Sequence, residues 1–377
     1  MGKKWWFSDK ENSKHTLLEN RSLIIKQIRR FFDEKGFWEV ETPALQICPG
    51  MEVHLKAFRT ELVETFETDK REFYLHTSPE LTMKKLLVAG WDKIYQMTHV
   101  FRNEERSLHH HPEFTMLEWY QTGADYKEIM KQTEDLVKSC AEMLQITTLK
   151  NGGIENEIFS PWEYLSVQEA FLKYAGIDIL STVKTESLCK STLNESAEAG
   201  VLSENTKNAE RAERTEILEP DPSLLRAQAE KSGIKTSAND RWEDIFFRVM
   251  LEKVEPHLGQ TVPTFLYDYP VALGALAKKS ATNPKVAERF EVYACGVELG
   301  NAFSELTDAH EQRIRFEHDQ KMKKELYGYT YPLDEDFLDA LTTGLPACAG
   351  IAIGVDRLVM LLLGADKIDD ILWAPVA

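Results

Sequence analysis

An α+β fold, with an antiparallel sheet flanked by helices, is what this 377-residue sequence predicts. Three observations carry that expectation: the strand-like segments are long and of antiparallel type, amphipathic helices are mixed among them, and no βαβ unit repeats. From Ser22 to Lys35, Leu23, Ile24, Ile28, Phe31 and Phe32 recur at helical spacing, and Gly36 supplies the stop. FWEVETPAL then reads as a strand interrupted by Pro43, whose missing N–H suits an edge or an interface. EFYLHTS, KIYQMTHVFRNE and FTMLEWYQTG read as strands, with SPELTMKKLLVAG as a helix between the first two. YKEIMKQTEDLVKSCAEML is an amphipathic helix, with Ile129, Leu136, Val137 and Met143 among its apolar positions. Between about residues 185 and 240 the chain turns charged, rich in Ser and Asn and free of aromatics up to Trp242. That stretch reads as an inserted helical or partly mobile excursion outside the catalytic core. Order returns at RWEDIFFRVMLEKV, followed by the strand TFLYDYP, the strands of RFEVYACGVELGNAFSEL, and the glycine-punctuated AGIAIGVDRLVMLLLG.

Bulk composition narrows the function. A hydrophobic content of 43% suffices for a large core, and 10% aromatics argue against disorder. The net charge of −17 repels phosphate backbones and counts against broad nucleic-acid binding. The five cysteines are scattered without a CxxC, as expected of reduced thiols in a cytoplasmic protein. The N-terminus has no apolar signal core, and no run approaches the roughly 20 apolar residues of a membrane span.

Three constellations carry chemistry. In FRNEERSLHHHPEFTMLEWY, strand alternation would put Arg102 and Glu104 on one face, with Phe114 beyond a histidine-rich loop and Glu118 and Tyr120 again sharing a face. Such a set suits phosphates beside a base or an amine, although a salt-bridged surface hairpin has the same composition. In GIAIGVDRLVML a glycine-rich strand runs into a helix that opens with Asp356–Arg357, where close backbone approach and a bidentate guanidinium favour phosphate. In EVYACGVELGNAFSEL, Glu291 and Glu298 flank a turn at Cys295–Gly296 that would bring both carboxylates onto one Mg²⁺-bound triphosphate, with Asn301 and Glu305 downstream. A further carboxylate near Glu118 would make an anionic pocket for an ammonium group. The run His109–His111 invites a zinc reading, but adjacent histidines point different ways and no cysteine completes a tetrahedral set.

Together these motifs resemble motifs 2 and 3 of class II aminoacyl-tRNA synthetases, with the Pro43 strand after a long helix resembling motif 1. TSPE, RNEE, HPEFTMLEWY, ELGNAFSEL and GVDRLVML are similar to lysyl-tRNA synthetase, from about Thr16 to the C-terminus except for the insertion. RSLIIKQIRRFF, VHLKAF, LTMKKLLVAG and AERFEVY resemble the elongation factor P lysyltransferases, synthetase paralogues that modify a protein lysine. Ala352 follows that family where synthetases have Gly. Gly300, where the family usually has Ala, and His111, where both families usually have Asn, depart from it, and the long insertion is atypical. The expected organisation is a tail over residues 1–15 and a catalytic domain over 16–377, with no anticodon-binding domain.

The resemblance implies ATP and Mg²⁺ as cofactors and lysine or (R)-β-lysine as substrate. Elongation factor P would be the acceptor, while tRNA charging is the competing reading and a non-catalytic paralogue a third. The chain is expected to be a homodimer, paired through the apolar helix face of Leu23 to Phe32 and the strand at Pro43. It implies that Arg102 holds the α-phosphate, with Asn103, Glu104, His110, His111, Leu299 and Gly354 about the nucleotide. Phe114 would stack on adenine, with Arg357 on its other face and at the γ-phosphate. Glu291 and Glu298 would organise Mg²⁺. Ser78, Pro79, Glu80, Glu118, Tyr120, Asn301, Glu305 and Ala352 would surround the amino acid. Adenylation needs no general base, since the substrate carboxylate is already a nucleophile; the base for transfer is not legible.

Overall fold

The computed structural model describes residues 13–65, 69–186 and 217–376. A long helix, α1 (Ser13–Glu34), leads into β1 (Trp38–Glu39), β2 (Leu45–Gln46), β3 (Arg59–Val63) and β4 (Lys70–Leu75). Then come α2 (Glu80–Val88), β5 (Lys93–Phe101), β6 (Glu113–Thr122) and α3 (Tyr126–Leu144). The middle of the chain forms β7 (Thr148–Asn151), β8 (Ile154–Glu157), β9 (Glu163–Ser166), α4 (Val167–Ala175) and β10 (Val183–Glu186). After residue 216 follow β11 (Ile217–Pro220), α5 (Pro222–Lys231), α6 (Trp242–Val249), β12 (Thr264–Pro270), β13 (Val286–Ala294) and β14 (Val297–Ser304). The chain closes with α7 (Ala309–Tyr327), α8 (Glu335–Gly344), β15 (Cys348–Gly354), α9 (Val355–Leu363) and α10 (Ile368–Ile371).

The main sheet runs β1-β5-β6-β15-β14-β13-β12-β9. Its six inner strands are antiparallel, and only the short edge strands β1 and β9 pair in parallel. This is the α+β arrangement the pattern predicts. Alternation along β6 divides the sheet's two faces. Leu117 and Trp119 enter a core with Ile24, Ile28 and Phe32 of α1, Ile129 and Leu136 of α3 and Leu358 of α9. Tyr120 packs on the opposite side with Leu87 of α2, Phe316 of α7 and Phe337 of α8. Phe32 lies flat on Tyr95, centroids 4.6 Å apart, and locks α1 to the sheet.

EFYLHTS is a strand as read and forms β4 of a separate three-stranded sheet, β2-β4-β3. Three readings change. FWEVETPAL yields only β1 before Pro43, because the chain leaves the sheet edge after two residues. The apolar stripe of α1 is buried in the chain's own core, so it is not available for the dimer contact expected of it; of the residues named, Leu23 alone stays exposed, at 46%. The excursion expected over 185–240 is folded at both of its described ends. β10 and β11 pair antiparallel, and Leu225, Ala229 and Ile234 are buried with Phe171, Trp242 and Phe246 in one core. Asp221 caps α5 by accepting from the N–H groups of Ser223 and Leu224, with Pro222 at the first helical position. Residues 187–216 lie outside the described residues. No helix among the described residues is long and apolar enough to cross a membrane.

Candidate active site

On the face of the sheet away from α1, a cavity of about 340 Å³ is lined by Arg102, Phe114, Arg289, Glu291, Glu298 and Arg357, with Glu80, Asn301 and Ala352 further along. That volume lies at the small-ligand end of ordinary binding clefts. Its two arginines come from distant parts of the chain. Arg102 follows the last residue of β5 and is fixed by its N–H donating to the Pro112 carbonyl at 2.9 Å. Its guanidinium sits over the Phe114 ring, 5.3 Å from the centroid, and its buried Nε has no partner, a donor left open for a ligand oxygen. Arg357 stands in the first turn of α9, whose N-cap Gly354 offers no side chain to the helix N–H groups. Its Nη1 donates to the Glu298 carbonyl at 2.7 Å and its Nη2 lies 2.6 Å from His110 Nε2. Burial, then the Arg357 charge, lowers the His110 pKa to about 4, so the ring is a neutral acceptor for that guanidinium.

The hairpin β13–β14 does bring Glu291 and Glu298 to one cavity. Arg289 Nη2 and the Tyr293 hydroxyl each hold Glu291 at 2.7 Å. Desolvation and then repulsion from Glu291 raise the Glu298 pKa, with Arg357 and Arg102 opposing. Water reaches the 42%-exposed Glu298 side chain and screens that repulsion. Hard oxygen ligands whose charges repel across a cleft fit a divalent cation, so this pair can take Mg²⁺ with a triphosphate.

Behind the amino-acid end, two carboxylates pair with one ammonium and a third lies nearby. Lys84 is buried and ion-paired to Glu80, four residues earlier on α2, and to Glu305 Oε2 at 2.5 Å. Burial works against the Lys84 charge, but Glu305 and Glu80 outweigh it and its pKa is raised. Glu118 is fully buried, accepting from Ser78 Oγ at 2.7 Å and from the Tyr120 hydroxyl at 2.9 Å. Desolvation, then Glu80, pushes its pKa up to about 8. A pocket with three acids and one internal cation has room, electrostatically, for a further ammonium. Ala352 sits in register between Glu118 of β6 and Asn301 of β14. A Cβ on neighbouring Gly300 would lie 2.6 Å from the Ala352 carbonyl oxygen, so alanine there requires β14 and β15 to move apart.

The structure brings together Arg102, Phe114, His110, His111, Glu291, Glu298, Leu299, Asn301, Ala352, Gly354 and Arg357, with Ser78 and Glu80. Glu118, Tyr120 and Glu305 lie buried behind the wall instead of lining it. Pro79 is the N-cap of α2 and Asn103 caps the turn, its Oδ1 accepting from the Glu104 N–H at 2.9 Å; neither lines the cavity. The shared strand face expected of Arg102 and Glu104 is not formed. Glu104 is in a turn with φ of 64° and pairs with Lys56 on the outside, since β5 ends at Phe101. The three histidines have separate tasks: the His109 carbonyl accepts from Arg357, His110 faces its guanidinium, and His111 bridges Glu113 and Val376. Sequence reasoning missed Lys84, Arg289 and Glu52. The Glu80–Lys84 spacing was a usable signal; nothing local marks the other two.

Residues 3–376 match the family model of class II tRNA synthetases (D, K and N). The chain is similar to proteins named elongation factor P–(R)-β-lysine ligase. The one from Photorhabdus laumondii is 39% identical over 355 residues, covering 94% of this chain and 93% of that protein. The Salmonella typhi protein is 38% identical over 356 residues, 94% and 93% of the two chains, and that of Proteus mirabilis 39% over 359, 95% and 94%.

Proposed function

The chain belongs to the class II tRNA synthetases of the D, K and N group, and from that premise we propose that it is an ATP-dependent ligase joining (R)-β-lysine or lysine to a lysine side chain of elongation factor P. Three relatives of that printed name, each matched over more than nine-tenths of both chains, support the reaction. The observation that carries the substrate class is the acid set at one end of the cavity, Glu80 on its wall and Glu118 and Glu305 buried behind, with Lys84 as the one cation paired there, beside two arginines that line the same cavity. The amino acid's amines would meet Glu80 at the cavity wall, with Glu118 and Glu305 adding negative charge from behind it, placing its carboxylate toward Arg102. Oxygen of that carboxylate attacks the α-phosphorus and pyrophosphate leaves. Arg102 and Arg357 neutralise the spreading negative charge from fixed positions, with no proton to move. Mg²⁺, held by Glu291 and Glu298, would supply further neutralisation at the triphosphate.

We assign the protein to the cytoplasm and its dimer contact to the sheet edge at β1 and Pro43. There Trp38, Leu45, Ile47 and Trp91 are exposed at 63%, 44%, 54% and 41%. tRNA charging is disfavoured by the net charge of −17, which opposes encounter with a polyanion. Pyrophosphate exchange with each amino acid, followed by mass measurement of elongation factor P, tests the reading; efficient tRNA charging with an unmodified protein acceptor overturns it. Ala352→Gly should shift selectivity toward α-lysine by about 1–3 kcal/mol, the scale of one methyl group, read as the ratio of exchange efficiencies.

A further inference from the structure

Transfer requires what activation does not. The acceptor lysine, with an ordinary pKa of about 10.4, arrives as an ammonium and must lose a proton before it can attack. The acids of the amino pocket are engaged with Lys84, Ser78 and Tyr120, and Glu291 with Arg289 and Tyr293. Glu52, between β2 and β3, is bonded by its own backbone N–H and by no side chain among the described residues. Its Oε2 is buried without a hydrogen-bond partner, and no ion pair to it is found among the described residues.

Glu52 lines two cavities at once. One is the main cleft; the other, of about 30 Å³, adjoins it through Glu52, Ser78 and Glu80 and is closed by Cys48, Met51 and Phe316. That is space for one water-sized group, the size of an ammonium head. The backbone that carries the carboxylate is firmly placed. Lys323 Nζ donates to the carbonyls of Glu52, Val53 and Leu55 at 3.1, 3.0 and 2.6 Å, and Thr77 Oγ1 donates to the Pro49 carbonyl at 2.8 Å. Gly50, at φ of 146°, leaves the room: a Cβ there would lie 2.6 Å from Glu52 Oε2. Charged and titratable groups around it are Glu80 from α2, Arg102 after β5, Asp319 and Lys323 from α7, and Cys48 on its own segment.

We propose that the small cavity seats the acceptor's ε-ammonium and that Glu52 is the base that deprotonates it. This rests on the ligase reading above. Glu52 takes one proton from R–NH₃⁺. The amine nitrogen then bonds to the carbonyl carbon of the aminoacyl adenylate, the bond from that carbon to the phosphate oxygen breaks, and AMP leaves with its electron pair. The nitrogen's remaining surplus proton passes to solvent, leaving an amide. Burial, then Glu80, raises the Glu52 pKa, with Arg102 and Lys323 pulling it back, which moves the carboxylate toward useful basicity.

Glu52→Gln tests this with three acceptors: elongation factor P, N-acetyl-lysine methylamide, and hydroxylamine, which is already neutral at neutral pH. Transfer to both lysine acceptors should fall about a hundredfold near pH 7, the lower end for losing a general base, and the deficit should shrink as pH rises toward the amine's own pKa. Pyrophosphate exchange and hydroxamate formation should fall far less, and Glu52→Asp should restore part of the transfer. An equal loss in all assays, a deficit that does not change with pH, or transfer at the wild-type rate overturns the proposal. If elongation factor P stays unmodified by wild type while the contrast between lysine amide and hydroxylamine holds, the acceptor protein is wrong and the base assignment stands.

Discussion

Two buried ion systems lie on opposite faces of one sheet and are built to different rules. On the helix side, Arg21 of α1 meets Asp356 of α9 at 2.5 Å. The Arg21 Nη2 also donates to Thr115 Oγ1 at 3.1 Å, and the Thr115 N–H to Asp356 Oδ2 at 2.8 Å. Charges balance one to one, and both side chains are almost wholly buried. On the site side, Lys84 faces Glu80, Glu118 and Glu305, one cation against three acids. The first network is charge-balanced without a ligand and ties α1 to α9, which carries Arg357. The second is left short of positive charge, which is wasteful for stability and suited to capturing an amine. A balanced pair marks framework; an unbalanced one, where water is excluded, marks a place for substrate.

The difference can be tested at five side chains. Arg21→Leu strands a buried Asp356 and should cost about 3–5 kcal/mol, seen as a lower urea midpoint; a near-wild-type midpoint would mean that Asp356 is solvated by other means. Arg102→Ala touches neither network but removes a preorganised charge at the triphosphate. It should lower pyrophosphate exchange by about 10²–10³ with little change in melting, and near-wild-type exchange would remove Arg102 from the site. Arg357→Ala should behave alike.

Glu118→Gln removes one acid from the unbalanced set. The amino acid's KM should rise roughly tenfold, about 1.4 kcal/mol, through the negative charge lost behind the cavity wall. Because the Glu118 pKa stands at about 8 in the free protein, an incoming ammonium lowers it and expels a proton. Wild-type affinity should therefore increase from about pH 6 to 8, with proton release in calorimetry, and the variant should lose much of that slope. Lys84→Met should be the mildest near pH 6, about 1–3 kcal/mol, because acids already pushed upward can hold protons. Carboxyls with folded pKa values above their unfolded ones lose stability as pH rises, so the cost of Lys84→Met should grow toward pH 8. A cost as large as that of Arg21→Leu at pH 6 would erase the distinction between the networks.

Much of this was legible before any coordinates. The strands β5, β6, β13, β14 and β15 and the helices α1, α3 and α9 carry periodicities that are local properties of the chain. Arg102, Phe114, Glu298 and Arg357 stand in motifs whose turn and glycine chemistry can be read over a dozen residues. The Asp221–Pro222 cap was equally local and was overlooked beneath a charged composition.

What the tertiary structure alone decided is pairing across distance. Lys84 is 221 positions from Glu305, and Arg21 is 335 from Asp356. No periodicity encodes which buried charge finds which, because ion pairing in a core depends on the sheet order that stacks β6 between β5 and β15. The same reason hid Glu52. The role proposed for it rests on room left by Gly50, on Lys323 holding the backbone carbonyls, and on Glu80 lining the same two cavities, while its sequence neighbours Met51 and Val53 give no sign of it. The apolar stripe of α1 shows the converse limit: hydrophobic spacing fixed which face is buried, and only the packed sheet settled that the chain's own core buries it.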